Sequence, residues 1–120
     1  MSTKSSIAIQ LKDGSIRSII CEWDGYISYN GKILYNNYNK YKIVKELIMN
    51  GNLLKLSHKI EENIYNDNHV NEFANLNEYQ LASHVKAKYN YLFQKGNWYV
   101  TTPKAFGYYL LSEALTKSWD

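Results

Sequence analysis

One cysteine, Cys21, and one arginine, Arg17, occur among the 120 residues. A lone thiol excludes an intrachain disulfide and fits a reducing compartment. No apolar run approaches the ~20 residues that a membrane-crossing helix requires, and Met1 to Ser6 is polar, without the apolar stretch of a secretion signal. The expectation is a cytoplasmic protein with no membrane partner. Gly-rich phosphate loops are missing as well, since neither G-x-x-x-x-G-K-[ST] nor G-x-G-x-x-G occurs. His58, His69 and His84 lie far apart, and none has a second His or Cys at the close spacing of a zinc motif. Cys21, Glu22 and Asp24 are close in sequence, but strand alternation sends Cys21 and Glu22 to opposite faces. A Cys–His pair formed in space stays open, yet Cys21 ends an apolar strand, where a thiol is usually buried and inert. No metal, no cofactor and no enzymatic activity are expected.

What the chain has in quantity is tyrosine. Twelve Tyr, three Trp and three Phe bring aromatics to 15%, so Tyr supplies much of the apolar area. A Tyr-rich surface suits protein recognition. The net charge is only +3, but Glu61, Glu62, Asp67, Glu72 and Glu78 fall in a stretch without Lys or Arg between Lys59 and Lys86. Such a block is either solvated surface or an acidic patch that steers a basic partner. Nucleic acid is disfavoured as a partner by this block and the single Arg, although Lys40, Lys42 and Lys45 cluster and Tyr89, Tyr91 and Trp98 offer rings for stacking.

The chain is organised around Ile20-Cys21-Glu22-Trp23-Asp24-Gly25-Tyr26. An apolar strand ends there, Asp-Gly makes a turn, and Trp23 and Tyr26 flank it. Two readings of these rings stay open: core packing where strand meets helix, or a rigid contact patch. Before this stretch, Ile7 to Leu11 and Ile16 to Cys21 read as a hairpin closed by Asp13-Gly14. After it come a loop from Trp23 to Asn30 and a helical turn from Gly31 to Tyr38. Asn39 is the expected N-cap of a helix over 40–50, with Ile43, Val44, Leu47 and Ile48 as its stripe and Gly51 as its stop. Leu53, Leu54 and Leu56 read as a loop tucked onto the core. Residues 57–75 give a short helix near Lys59 to Tyr65, then loop. Asn77 and Gln80 resemble a capping box for a helix ending near Lys88. A second hairpin pairs Tyr89 to Phe93 with Trp98 to Thr102 across Lys95-Gly96. Thr102-Pro103 then starts a last helix running to Lys117, with Phe106, Tyr109, Leu110, Ala114 and Leu115 as its stripe. The predicted fold is a single α+β domain over 1–120: a small antiparallel sheet of two hairpins, with three to four helices on one face.

Ser5-Ser6-Ile7-Ala8-Ile9, Asp13-Gly14-Ser15 and the Ile20 to Tyr26 stretch resemble a family of small phage and prophage proteins, whose members typically carry Tyr-Cys-His-Trp-Asp-Gly-Tyr before a helix-starting Gly. Gly31-Lys32-Ile33-Leu34, Tyr38 and Gly51-Asn52-Leu53 continue the resemblance over 5–56. It returns weakly at Tyr89 to Phe93, Gly96 and Trp98-Tyr99-Val100. Glu22 stands where the family has His, and the family's middle region is not recognisable between Ser57 and Lys88.

The resemblance implies no enzyme. It implies a phage-encoded inhibitor that binds a bacterial defence protein stoichiometrically in the host cytoplasm, with a defence-associated sirtuin, an NAD-depleting enzyme, as the expected target. An anti-CRISPR protein, a nucleotide-signal sponge and a nucleic-acid-binding accessory protein are the alternatives. Partner-binding residues are expected at Trp23, Asp24, Tyr26 and Tyr29, and in a second group at Glu61, Glu62, Tyr65, Asp67 and Glu72.

Overall fold

The computed structural model describes residues 3–102 and 107–117. Strand β1 (Ser5–Gln10) pairs antiparallel with β2 (Ile16–Cys21), with Ile7 opposite Ile19 and Ser5 opposite Cys21. The hairpin closes because Gly14 takes the left-handed conformation, and the Leu11 carbonyl accepts from its N–H at 2.9 Å. The second hairpin joins β6 (Tyr89–Gln94) to β7 (Asn97–Thr101). Lys95 and Gly96 both have positive φ, the pattern of a two-residue turn matched to strand twist.

The hairpins do not simply lie side by side as an antiparallel sheet. Their first strands pair in parallel, Ile7 opposite Tyr91 and Ile9 opposite Phe93. Each hairpin then folds outward, giving the order β4-β3-β2-β1-β6-β7-β8 in an eight-stranded mixed sheet. Strand β3 (Leu53–Lys55) also joins β2 in parallel, and β4 (Ile64–Tyr65) closes that edge. Strand β5 (Asn71–Phe73) pairs with the start of β2, and β8 (Tyr109–Leu110) with β7. The expected two-hairpin sheet is thus the centre of a larger one. Long connections supplied the extra strands, and these short pieces carry too little alternation to read as strands.

Helices cover both faces, not one. On the first face, α1 (Lys32–Asn37), α2 (Tyr41–Met49) and α4 (Leu111–Lys117) bring Leu34, Val44, Leu47, Ile48, Leu111 and Ala114 onto Ile7, Ile9, Ile19 and Tyr91. Each such fully buried Leu, Ile or Val side chain contributes about 1.5–3 kcal/mol. On the second face, α3 (Leu76–Leu81) and a 3-10 turn (Ser83–Val85) seat Tyr79 and Val85 with Ala8, Ile16, Phe73 and Leu92. The two serines of β1 are buried because an amide reaches each. Asn30 Nδ2 donates to Ser5 Oγ at 3.2 Å, and Ser6 Oγ donates to Asn90 Oδ1 at 2.7 Å.

Several local expectations shift. Lys40, not Asn39, precedes α2 and makes no side-chain cap. Gly51 does stop that helix with φ +107, and a Cβ there would stand 2.5 Å from Asp67 O. Leu53 to Lys55 is strand because Leu53 and Leu54 carbonyls accept from Glu22 and Trp23 N–H at 3.0 Å each. The helix near 59–65 is a 3-10 turn over Ile60–Glu62 followed by β4. The cap of α3 is Asn75, whose Oδ1 accepts from Glu78 N at 2.8 Å, and the helix ends at Leu81. Tyr109 and Leu110 are strand residues, so α4 starts at Leu111, while Pro103 and Phe106 lie outside the described residues.

Candidate partner-binding surface

The Trp23 to Tyr26 turn is fixed by its main chain. Trp23 N–H donates to Leu54 O at 3.0 Å, and the Trp23 carbonyl accepts from Asn30 Nδ2 at 3.0 Å. Asp24 takes the left-handed conformation at φ +58, which Asp tolerates better than most residues. Its carbonyl accepts from Asn30 N–H at 3.1 Å. Gly25 N–H donates to Thr3 O at 2.8 Å, and the Tyr91 hydroxyl donates to Gly25 O at 2.7 Å. No other residue fits at 25 without movement, since a Cβ would meet the Thr3 and Lys4 carbonyl oxygens at 2.8 Å. Asn30, completely buried, is therefore the polar pin of the motif, touching Ser5, Cys21 and Trp23. Nothing in its sequence neighbourhood marks it.

This frame gives the motif's aromatic side chains different positions. Trp23 is 41% exposed and Tyr29 is 58% exposed. Tyr26 is half-buried, packed on the core, with its ring centre 5.8 Å from that of Tyr89 and 6.4 Å from that of Tyr29. Of the two readings of these rings, core packing thus describes Tyr26 in part, while Trp23 lies outside the core cluster with its ring partly exposed. Tyr29 sits in a π-helical turn over Ile27–Gly31 that leads directly into α1.

The second group of expected residues does not gather around the first. Glu61 and Glu62 are exposed on the 3-10 turn, and Tyr65 is half-buried on β4 with its hydroxyl accepting from Asn50 Nδ2 at 3.2 Å. Register places β4 beyond β3 from Trp23, with the exposed Ile64 opposite Lys55. Asp67 is exposed but engaged, its Oδ1 accepting from Asn52 Nδ2 at 3.0 Å and His69 N at 2.9 Å. Glu72 lies on β5 opposite Arg17, with 3.7 Å between the charged groups. Arg17 is four residues back along β2 from Cys21, about 13 Å at strand spacing. The acidic block is therefore distributed along the sheet edge and not a single patch. Ile64 is the residue that sequence reasoning missed there.

Cys21 is not activated as a nucleophile. Burial pushes the Cys21 thiol up to about 11, despite its hydrogen bond to Trp23 O at 3.5 Å. That is the opposite of the depressed value a nucleophilic thiolate has. Glu22 pairs with Lys4 at 3.7 Å. Among the described residues, no three His, Cys, Asp or Glu are grouped to hold a metal ion. Tyr89, Tyr91 and Trp98 are buried, so they form no stacking platform for nucleic acid. Lys40, Lys42 and Lys45 are exposed. No described helix is long and apolar enough to cross a membrane.

Comparison with known proteins leaves the surface to speak for itself. No family model matches the chain, and neither a curated protein nor a solved structure matches it. What the fold and surface define is an α+β domain that holds a tryptophan outward on a locked turn.

Proposed function

We propose that the protein is a non-catalytic binding module, a phage-encoded inhibitor that holds a bacterial defence protein inactive by stoichiometric contact. The observation that carries this reading is the exposed Trp23 on a main chain held at both its N–H and its carbonyl. A large, partly exposed ring on a fixed main chain leaves less backbone freedom to lose on binding, which favours an interface hot spot. Tyr29, on the π-helical turn, and Ile64, across β3, widen the contact toward the area of about 800 Å² per partner that a specific complex buries.

A defence-associated sirtuin is the target we propose, on the resemblance of the Cys21 to Tyr26 motif to small phage proteins. Co-expression of the two should give a complex on size exclusion and suppress NAD consumption by the sirtuin. Separate elution with undiminished NAD loss would remove the sirtuin from the proposal. An anti-CRISPR target would then be the next tested on the same Trp23 surface.

A further inference from the structure

The parallel pairing of β1 and β6 has a geometric consequence at the end of the sheet away from Trp23. Each of these strands turns outward at its carboxyl end, β1 into β2 and β6 into β7. Chains that diverge from neighbouring parallel strands leave a crevice between them, and in open α/β sheets the crevice at such carboxyl ends is where ligands bind. Here the crevice is about 350 Å³, with Gln10 and Leu11 at its floor, Lys12, Gly14, Lys95 and Gly96 from the two turns around it, and Tyr41 at its side; Gln94 Nε2 donates to Gln10 Oε1 at 2.8 Å where the strands part. The Tyr41 ring places Lys12: its hydroxyl accepts from Lys12 N–H at 3.3 Å, and Lys12 Nζ lies 5.3 Å from the ring centre. Asp13, the carboxylate of that turn, is folded back, its Oδ1 accepting from Ser15 Oγ at 2.6 Å and Ser15 N at 2.9 Å. Lys40 and Lys42, exposed on either side of Tyr41, add positive charge.

A second cleft, of about 370 Å³, adjoins the first at Gly96. Its rim is Tyr35, Asn36, Asn39 and Asn97, above Phe93 and Trp98, and no ionisable acid or base lines it apart from the phenol. Three amides supply paired donors and acceptors, and Tyr35 supplies an exposed ring. Gly96 has open space around it, so its missing side chain leaves the ridge between the clefts low. This also accounts for the exposed Asn39, which caps no helix. Both volumes lie in the range of about 300–1,000 Å³ typical of small-molecule sites.

We propose that the two clefts form one nucleotide site: Lys12 and Lys95 take the phosphate, and the Asn36, Asn39 and Asn97 amides with Tyr35 take the nucleoside. Because the two clefts share Gly96, a single ligand carrying an anionic group and a polar ring system would span both. The site is independent of the partner-binding surface, which lies at the other end of β2.

The test is calorimetric titration of the full chain with AMP, GMP, CMP and UMP, with their nucleosides, with inorganic phosphate and with a short single-stranded oligonucleotide. At least one monophosphate should bind with a Kd below about 1 mM and about tenfold tighter than its nucleoside. Substituting Lys12→Gln and Lys95→Gln together should abolish that advantage and leave nucleoside affinity unchanged, while Asn97→Ala with Tyr35→Ala should weaken both. These are rim positions, and unchanged thermal melts will confirm that the variants fold. Three results overturn the proposal: no binding by any monophosphate, equal binding of inorganic phosphate, or binding of the oligonucleotide alone.

Discussion

Glycine at position 25 shows how one residue sets the motif's geometry. Its missing side chain lets the Thr3 and Lys4 carbonyls close over the turn, and Tyr91 reaches its carbonyl from β6. Replacing it with Ala forces backbone against backbone, so Gly25→Ala should lower stability by about 1–3 kcal/mol, read as a drop in Tm. Trp23→Ala acts differently, removing a ring that is 41% exposed and lies outside the core cluster, so stability should fall by about 1–2 kcal/mol with the fold kept. Cys21 yields a pH expectation. The unfolded chain releases this proton near pH 9, whereas the folded protein keeps it to about 11, so stability falls as pH rises through that window. Burial raises Tyr38, Tyr79 and Tyr108 as well. Denaturant titrations between pH 8 and 11 should therefore show a shallower loss in Cys21→Ala than in the parent, not its disappearance. An equal slope in both would place Cys21 in a more solvated site than the structure gives it.

Among the elements, α3 separates two readings of one sequence. Both Asn75-Leu76-Asn77-Glu78 and Asn77-Glu78-Tyr79-Gln80 look like helix starts, and the structure uses the first. Asn75→Ala should cost about 1 kcal/mol as a lost N-cap, and Asn77→Ala close to nothing, by chemical denaturation of each. What favours Asn75 is tertiary: this register buries Tyr79 completely against Ala8 and Leu92, and leaves Leu81 77% exposed. A single-sequence pattern counts Leu81 as a core residue and cannot see that a second face of the sheet needs Tyr79. Both hairpins were legible for the reverse reason, because alternation and turn residues are local. The parallel contacts β1–β6 and β2–β3 join segments far apart in sequence, and no residue in them advertises the partner. The locked Trp23 turn was legible as a motif. Its pin, Asn30, was not, since one Asn among fourteen has no local signature.

At the scale of the molecule, the sheet has two working ends. The Trp23 turn, Tyr29 and the β3–β4 edge lie at one, and the divergent hairpins with Lys12, Lys95 and the amide cleft at the other. Both outer strands of the main path, β4 and β8, are only two residues long, which discourages partners from adding a strand to the sheet. Side-chain surfaces are left to do the binding, and that directs attention back to Trp23. The most direct test is a tagged pull-down from lysate of a bacterial host carrying defence systems, run in parallel with the parent and a Trp23→Ala, Tyr29→Ala double variant shown by its cooperative melt to be folded at the assay temperature. The expected result is one host protein retained near 1:1 by the parent and lost from the variant, a weakening of at least about 2 kcal/mol. Equal retention by both, or no stoichiometric protein with the parent, would contradict the account.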